Sequence, residues 1–69
     1  MNLSINGDLK SIQTKDRITS LLFVIEQLGV NPKLIVVEFN GEIINSRNWP
    51  VQKVQDGDIL EIVTIVGGG

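Results

Sequence analysis

The sequence predicts an α+β domain in which one helix packs across a mixed β-sheet. Three patterns predict this class. Apolar and polar residues alternate near the N-terminus, an apolar stripe with helical spacing begins at Ile18, and β-branched runs separated by Asn-Gly and Asp-Gly turns fill the second half. A single helix among several strands can form one layer that packs against one sheet, so we expect all elements to share a single core.

The first element is a predicted β-hairpin. Leu3 and Ile5 alternate with polar neighbours, and Gly7-Asp8 interrupts the pattern. The second arm runs from Leu9 to Gln13, with Leu9 and Ile12 as its apolar members.

A helix is predicted over residues 18–28. Its apolar residues are spaced i, i+3, i+4, i+7 and i+10, which places them on one face. They are Ile18, Leu21, Leu22, Ile25 and Leu28. Asp16 and Thr19 are candidate N-caps, and Gly29 suits the position after the helix because it enters the left-handed conformation without a Cβ clash.

The second half predicts strands joined by turns. The predicted elements are a strand over 33–39, a hairpin turn at Asn40-Gly41, a return strand over 42–45, an irregular segment over 46–55, a turn at Asp56-Gly57 and a last strand over 58–66. Trp49, in the irregular segment, is expected to cap one edge of the core. The whole predicted domain covers residues 1–66, followed by a flexible tail over residues 67–69.

Composition excludes several classes of chemistry. The chain has 69 residues and contains no cysteine, histidine or tyrosine, which removes thiolate nucleophiles, Cys/His zinc sites and histidine bases. A domain this small buries only about 60% of its unfolded surface and has no room for a bulky buried cofactor. Asp56 and Asp58 lack the spaced ligands of a calcium loop and are predicted to shape a turn. We therefore expect no catalytic residue, no metal site and no bound cofactor.

Charge and hydropathy restrict the partners. Six basic residues against eight acidic ones give a formal net charge of −2, which is unlike the basic surface that binds phosphate backbones. No apolar run reaches the length of a membrane span, and the N-terminus has no basic leader pattern. We expect a cytoplasmic protein that binds neither nucleic acid nor membrane.

The two long strands predict a docking surface. One glutamate inside each, Glu38 and Glu61, is expected to face water. Strand alternation then places Val36, Val63 and Ile65 on the same outer face. If the strands are neighbours, these side chains form an exposed apolar patch with an acidic rim, a pattern typical of a docking surface. The alternative is that they are ordinary scattered surface residues.

The sequence ends in three glycines directly after the last predicted strand. Glycines cannot pack and are entropically costly to order, so Gly67, Gly68 and Gly69 are expected to form a mobile arm. Residues 66–69 reach roughly 13 Å when extended. Such an arm fits a narrow channel in another protein, where a nucleotide phosphate meets the terminal carboxylate.

Motifs along the whole chain resemble the sulfur carriers of thiamine biosynthesis, the ThiS family. The motifs are a helix that ends in Leu-Gly, Asn-Gly-Glu-Ile at residues 40–43, Arg47 and Trp49, Asp-Gly-Asp-Ile-Leu-Glu-Ile at 56–62, and the terminal Val-Gly-Gly-Gly. The resemblance implies the ubiquitin-like β-grasp fold.

The resemblance also implies that the chain is a protein co-substrate and not an enzyme. It implies that a ThiF-like adenylating enzyme uses ATP and Mg²⁺ to convert the Gly69 carboxylate to an acyl adenylate. Sulfur that originates from a cysteine desulfurase then replaces AMP, and the resulting thiocarboxylate supplies thiazole synthase, a ThiG-like enzyme. Gly67 and Gly68 are the implied channel-fitting part of the tail.

Other readings stay open at this point. A molybdopterin-synthase small subunit shares the Gly-Gly end, a ubiquitin-related modifier attaches to lysines, and a β-grasp interaction module has a tail that does no chemistry. Arg17 before Ile18 departs from the threonine cap common in the family. Phe23 and Val24 are more apolar than an exposed helix face usually is, which indicates self-association or a partner contact.

Overall fold

A computed structural model describes residues 1–65. Within them the chain forms seven strands, one α-helix and two short 3₁₀ turns. The strands are β1 (Asn2–Ile5), β2 (Asp8–Ser11), β3 (Ile18–Ser20), β4 (Ile35–Phe39), β5 (Glu42–Ile44), β6 (Lys53–Gln55) and β7 (Ile59–Thr64). The helix α1 is Leu21–Leu28, and the 3₁₀ turns are Pro32–Leu34 and Ser46–Asn48. The predicted flexible tail, residues 67–69, and the end of the predicted domain at Val66 lie outside the described residues.

The main sheet is mixed, as predicted. Its strand order is β2-β1-β7-β4-β5, in which β1 and β7 are parallel and every other neighbouring pair is antiparallel. Strand β7, the last one within the described residues, therefore lies in the middle of the sheet, between β1 and β4. A second sheet contains only β3 and β6, which pair antiparallel through residues 18–20 and 53–55.

Both hairpins of the main sheet turn on an Asn-Gly pair. Asn6 and Gly7 have φ of 52° and 85°, and Asn40 and Gly41 have φ of 47° and 90°. Two central residues with positive φ define the turn that matches the twist of paired strands, and asparagine and glycine adopt it at least cost. The turn at Asn40-Gly41 is confirmed, whereas the first turn lies one residue earlier than predicted, so that Asp8 already belongs to β2.

The helix begins three residues later than predicted. Ile18 and the two residues after it form β3 instead of the first helical turn. The N-cap is Ser20, whose Oγ accepts a hydrogen bond of 3.0 Å from the amide of Phe23, so the proposed caps Asp16 and Thr19 are wrong. Gly29 has φ of 72° and ends the helix, as predicted.

The segment predicted to be irregular, residues 46–55, contains β6 and supports the start of the helix. The carbonyls of Trp49 and Gln52 accept hydrogen bonds from the amides of Leu22 and Leu21, at 3.1 and 2.8 Å. These amides have no partner inside the helix, so the segment satisfies donors that would otherwise be left unpaired. Because Ser20 caps the helix, Arg17 is not at its entrance and the departure from the family at that position has no effect on capping.

The core lies between α1 and the inner face of the main sheet. Its buried side chains are Leu3, Ile5, Ile12, Leu21, Val24, Ile25, Ile35, Val37, Trp49, Val54 and Leu60. Val24 is fully buried and Phe23 packs against this core, so neither marks an exposed helix face, contrary to the prediction. Trp49 is a core residue as predicted, and its Nε1 donates to the Ile44 carbonyl at 3.0 Å.

Candidate functional site: the outer sheet face and the strand before the glycines

Strand β7 carries the chain to the terminal glycines from the middle of the sheet. At its start, the Asn40 amide donates to the Ile59 carbonyl, and the Asn40 Oδ1 accepts from the Ile59 amide, both at 2.8 Å. The Asn40 Nδ2 also donates to the Asp58 carboxylate at 3.2 Å. The residue that turns the β4–β5 hairpin thereby fixes where β7 begins.

A second asparagine holds β7 near its other end. The Asn6 Oδ1 accepts from the Ile62 amide at 2.6 Å, and its Nδ2 donates to the Ile62 carbonyl at 3.1 Å. Strand β1 ends at Ile5, so the side-chain amide of Asn6 makes the hydrogen bonds to Ile62 that a neighbouring strand residue would otherwise make. On the opposite side, the Ile65 amide donates to the Leu34 carbonyl at 2.6 Å. The chain is therefore anchored on the sheet up to Ile65.

The predicted acidic turn is held by hydrogen bonds. The Asp56 carboxylate accepts from the Asn2 amide at 2.6 Å, and the Asp58 carboxylate accepts from the Gln55 amide at 2.8 Å. Both side chains therefore hold the backbone of the turn that precedes β7. Within residues 1–65, no group of three or more Asp and Glu side chains is arranged to hold a metal ion. No helix among the same residues is long and apolar enough to span a membrane.

The five residues of the predicted docking surface share one face of the sheet. Val36 lies directly opposite Val63, and Glu38 lies directly opposite Glu61. All four side chains are exposed, and Ile65 follows on the same side of β7 with half of its surface exposed. Of the inward-facing residues of the same strands, Leu60 and Val37 are fully buried. Whether a partner docks on this face remains a prediction.

The arrangement of charge on this face differs from the predicted acidic rim. Glu38 and Glu61 lie side by side at the centre, and apolar side chains lie on three sides of the pair. These are Val36 and Val63 in one neighbouring row, Ile43 beside Glu38, and Ile59 two residues before Glu61. We call the six residues Val36, Glu38, Ile43, Ile59, Glu61 and Val63 the outer patch.

Sequence reasoning missed two members of the outer patch. Ile43 and Ile59 are 72% and 51% exposed, which for large apolar side chains marks them as surface residues. The two-residue Asn40-Gly41 turn sets the register Phe39↔Glu42 and therefore Glu38↔Ile43. The position of Ile43 beside Glu38 could therefore have been predicted from the length of the turn. Ile59 shares the alternation of Glu61 and Val63 and was detectable in the same way.

The predicted modification residue and its neighbours, Gly69, Gly68 and Gly67, lie outside the described residues. Of the chain that leads to these glycines, the structure describes β7 and Ile65. The outer patch and the chain leading to the glycines are nonetheless close together, because Val63 belongs to the outer patch and the exposed Ile65 follows it two residues later on the same face. A partner that covers the outer patch therefore also lies beside Ile65, the last residue that the structure describes before the glycines.

The comparisons with known proteins agree on one family. The ThiS family model matches residues 3–69, which includes the terminal glycines. The sulfur carrier protein ThiS of Bacillus subtilis is 31% identical over 67 residues, which is 97% of this chain and 98% of that protein. A crystal structure of the thiamine biosynthesis protein ThiS from Geobacter metallireducens superposes with a TM-score of 0.85 at 28% identity, over 100% of both chains.

One relative is much longer than this chain. A protein named thiazole synthase from Paramagnetospirillum magneticum is 38% identical over all 69 residues, but the chain spans only 20% of its length. The matched region of that protein is therefore a part joined to a much larger remainder. The family match over nearly the whole sequence, together with the ubiquitin-like mixed sheet and single helix, shows that the chain belongs to the ThiS family.

Proposed function

We propose that the chain is a sulfur carrier for thiazole formation in thiamine biosynthesis. The observation that carries the proposal is the family match, which runs through Gly69. The carrier names of full-length relatives favour the thiamine branch over a molybdopterin-synthase subunit. In this proposal the chain is a co-substrate, and its partners supply the catalytic groups.

The proposed chemistry takes place at the Gly69 carboxylate. A carboxylate is a poor electrophile, and a ThiF-like activating enzyme overcomes this with ATP and Mg²⁺. A carboxylate oxygen attacks the α-phosphorus of ATP, pyrophosphate leaves, and the carboxyl carbon then carries AMP as a leaving group. A cysteine desulfurase supplies the sulfur as a persulfide, which attacks that carbon while AMP departs, and a thiol reductant then cleaves the S–S bond of the resulting acyl disulfide. The thiocarboxylate so formed holds a nucleophilic sulfur on a chain that contains no cysteine.

Thiazole synthase is the proposed recipient. The relative that bears this name contains a region matching all 69 residues, which supports a close working relation between the two kinds of domain. Gly67 and Gly68 have no side chains, so an enzyme can enclose their backbone in a narrow channel. Anchoring of β7 up to Ile65 limits the reach to the last four residues, roughly 13 Å.

Deleting Gly68 and Gly69 tests the carrier function against a pure interaction module. With purified activating enzyme, sulfur donor and thiazole synthase, the full chain is expected to support thiazole formation and the shortened chain none. Binding of the shortened chain to the activating enzyme is measured in parallel by calorimetry. Retained thiazole formation by the shortened chain would contradict the proposal, whereas retained binding alone agrees with docking through the folded domain.

The outer patch is the proposed docking surface for the activating enzyme. Val63→Asp removes an apolar contact and puts an unpaired charge where the partner surface is expected to be apolar, so we expect at least about tenfold weaker binding, which corresponds to about 1.4 kcal/mol. Val63 is 61% exposed, so the fold is expected to persist. Val51→Asp is the matched control, because Val51 is 75% exposed and lies outside the outer patch. Equal affinities of the two variants would remove the outer patch from the interface.

A further inference from the structure

The outer patch combines two features that restrict what binds it. Glu38 and Glu61 are opposite each other on adjacent strands, and like charges in that position destabilise the sheet. The same cross-strand row continues to Ile43 and contains no basic residue. Within that row, therefore, nothing offsets the repulsion between the two carboxylates.

An entirely apolar partner does not fit this surface. Contact with the surrounding Val36, Val63, Ile43 and Ile59 side chains would remove water from the two carboxylates at the centre of the outer patch. Burying an unpaired charge is costly, and burying two adjacent like charges costs more. The partner must therefore bring positive charge to the centre of the contact and apolar surface around it.

One side chain matches both carboxylates at once. Directly opposite strand residues have Cβ atoms about 4.5 to 5.5 Å apart, so both carboxylates can reach the same group. A guanidinium is planar, carries five N–H donors and forms paired hydrogen bonds with carboxylates, whereas an ammonium is a compact point charge. We propose that the activating enzyme presents an arginine, set in apolar surface, whose guanidinium bridges Glu38 and Glu61. This inference rests on the proposed function only for the identity of the partner.

The proposal predicts opposite effects on folding and on binding. In Glu38→Gln/Glu61→Gln the repulsion is gone, so we expect Tm to rise by about 1 to 8 °C. The same double variant is expected to bind the activating enzyme at least about 30-fold more weakly, because loss of one partner from a desolvated charge pair costs about 2 to 5 kcal/mol. Its binding should also lose most of the salt dependence of the native chain.

Two control variants distinguish a guanidinium that bridges both carboxylates from long-range electrostatic attraction. Glu42→Gln removes an exposed carboxylate of β5 that is paired with Phe39 and points to the other face, so it should leave the affinity unchanged within about twofold. Glu38→Asp/Glu61→Asp keeps both charges but withdraws them from a bridging group. We expect this variant to retain the salt dependence and still bind about tenfold more weakly than the native chain.

The dissociation constants of these variants, measured by calorimetry at two salt concentrations, decide the matter. Unchanged or tighter binding of the Gln double variant would overturn the proposal, since it would mean that the partner surface is apolar at this point. Equal affinity of the Asp double variant and the native chain would also overturn it, in favour of long-range attraction. Sulfur transfer to Gly69 at saturating enzyme is measured separately, so a failure of the carrier function stays distinguishable.

Discussion

A chain that lacks Gly69 is expected to be adenylated at least about 100-fold more slowly than the full chain at saturating activating enzyme. The sheet fixes the chain up to Ile65, so the remaining residues alone set the reach of the carboxylate. Loss of one residue withdraws that carboxylate by about 3.3 to 3.6 Å. Misplacement of a reacting group by about 1 Å already costs a factor on the order of 100.

The rate of exchange between pyrophosphate and ATP measures this adenylation directly. Gly69→Ala keeps the length of the tail and adds a methyl group, so comparison with the deletion separates reach from the width of the channel. Both variants should melt at the temperature of the native chain, because neither change touches the described fold. Full exchange activity without Gly69 would show that the length of the tail does not limit adenylation, contrary to the expected loss.

Trp49→Ala is expected to lower the free energy of unfolding by about 3 to 5 kcal/mol. The indole is 3% exposed and its N–H is bonded to the Ile44 carbonyl, so the variant loses both packing and a hydrogen bond. The Trp49 carbonyl also accepts from Leu22 at the start of the helix. A domain of this size has a total stability of only about 3 to 10 kcal/mol, so the variant should be partly unfolded at room temperature.

Urea denaturation followed by circular dichroism measures this loss. Trp49→Phe keeps an aromatic ring without the N–H and should fall between the native chain and the alanine variant. Val51→Asp, two residues away and exposed, should change the stability by no more than about 0.5 kcal/mol. A loss below about 1 kcal/mol for Trp49→Ala would mean that the indole is not part of the core.

The sheet faces were predictable because β4 and β7 each carry one glutamate. A single charge among apolar residues fixes which alternate side chains face water, and the register Glu38↔Glu61 agrees with that reasoning. The same reasoning did not reveal that the charges lie at the centre of the outer patch. That placement depends on Ile43 and Ile59, which come from a hairpin register and from a residue near the start of β7.

The start of the helix was not predictable from spacing alone. Ile18 continues the apolar stripe of the helix, yet it pairs with Gln55 in β3–β6. Strand β6 has only three residues and one buried side chain, Val54, so its alternation is too short to read from sequence. Tertiary pairing therefore decided the conformation of both segments, and Ser20, with its capping hydroxyl, marks where the helix takes over.

The ends of β7 show a further limit of sequence reasoning. Asn40 was predicted as a turn residue because it precedes a glycine, whereas the first turn was predicted at Gly7-Asp8 although Asn6 offers the same signal. Their second role, in which the side-chain amides pair with Ile62 and Ile59, requires the order of strands in the sheet. Since that order places β7 between β1 and β4, residues far apart in sequence fix the strand that leads to the glycines.

The intact mass of the chain tests the carrier function most directly. The protein is incubated with the activating enzyme, ATP, Mg²⁺ and a sulfur donor, beside a chain that lacks Gly69. The carrier function predicts a mass gain equal to the exchange of one carboxylate oxygen for sulfur, in the full chain only. An unchanged mass, obtained with an activating enzyme that modifies another carrier under the same conditions, would contradict it.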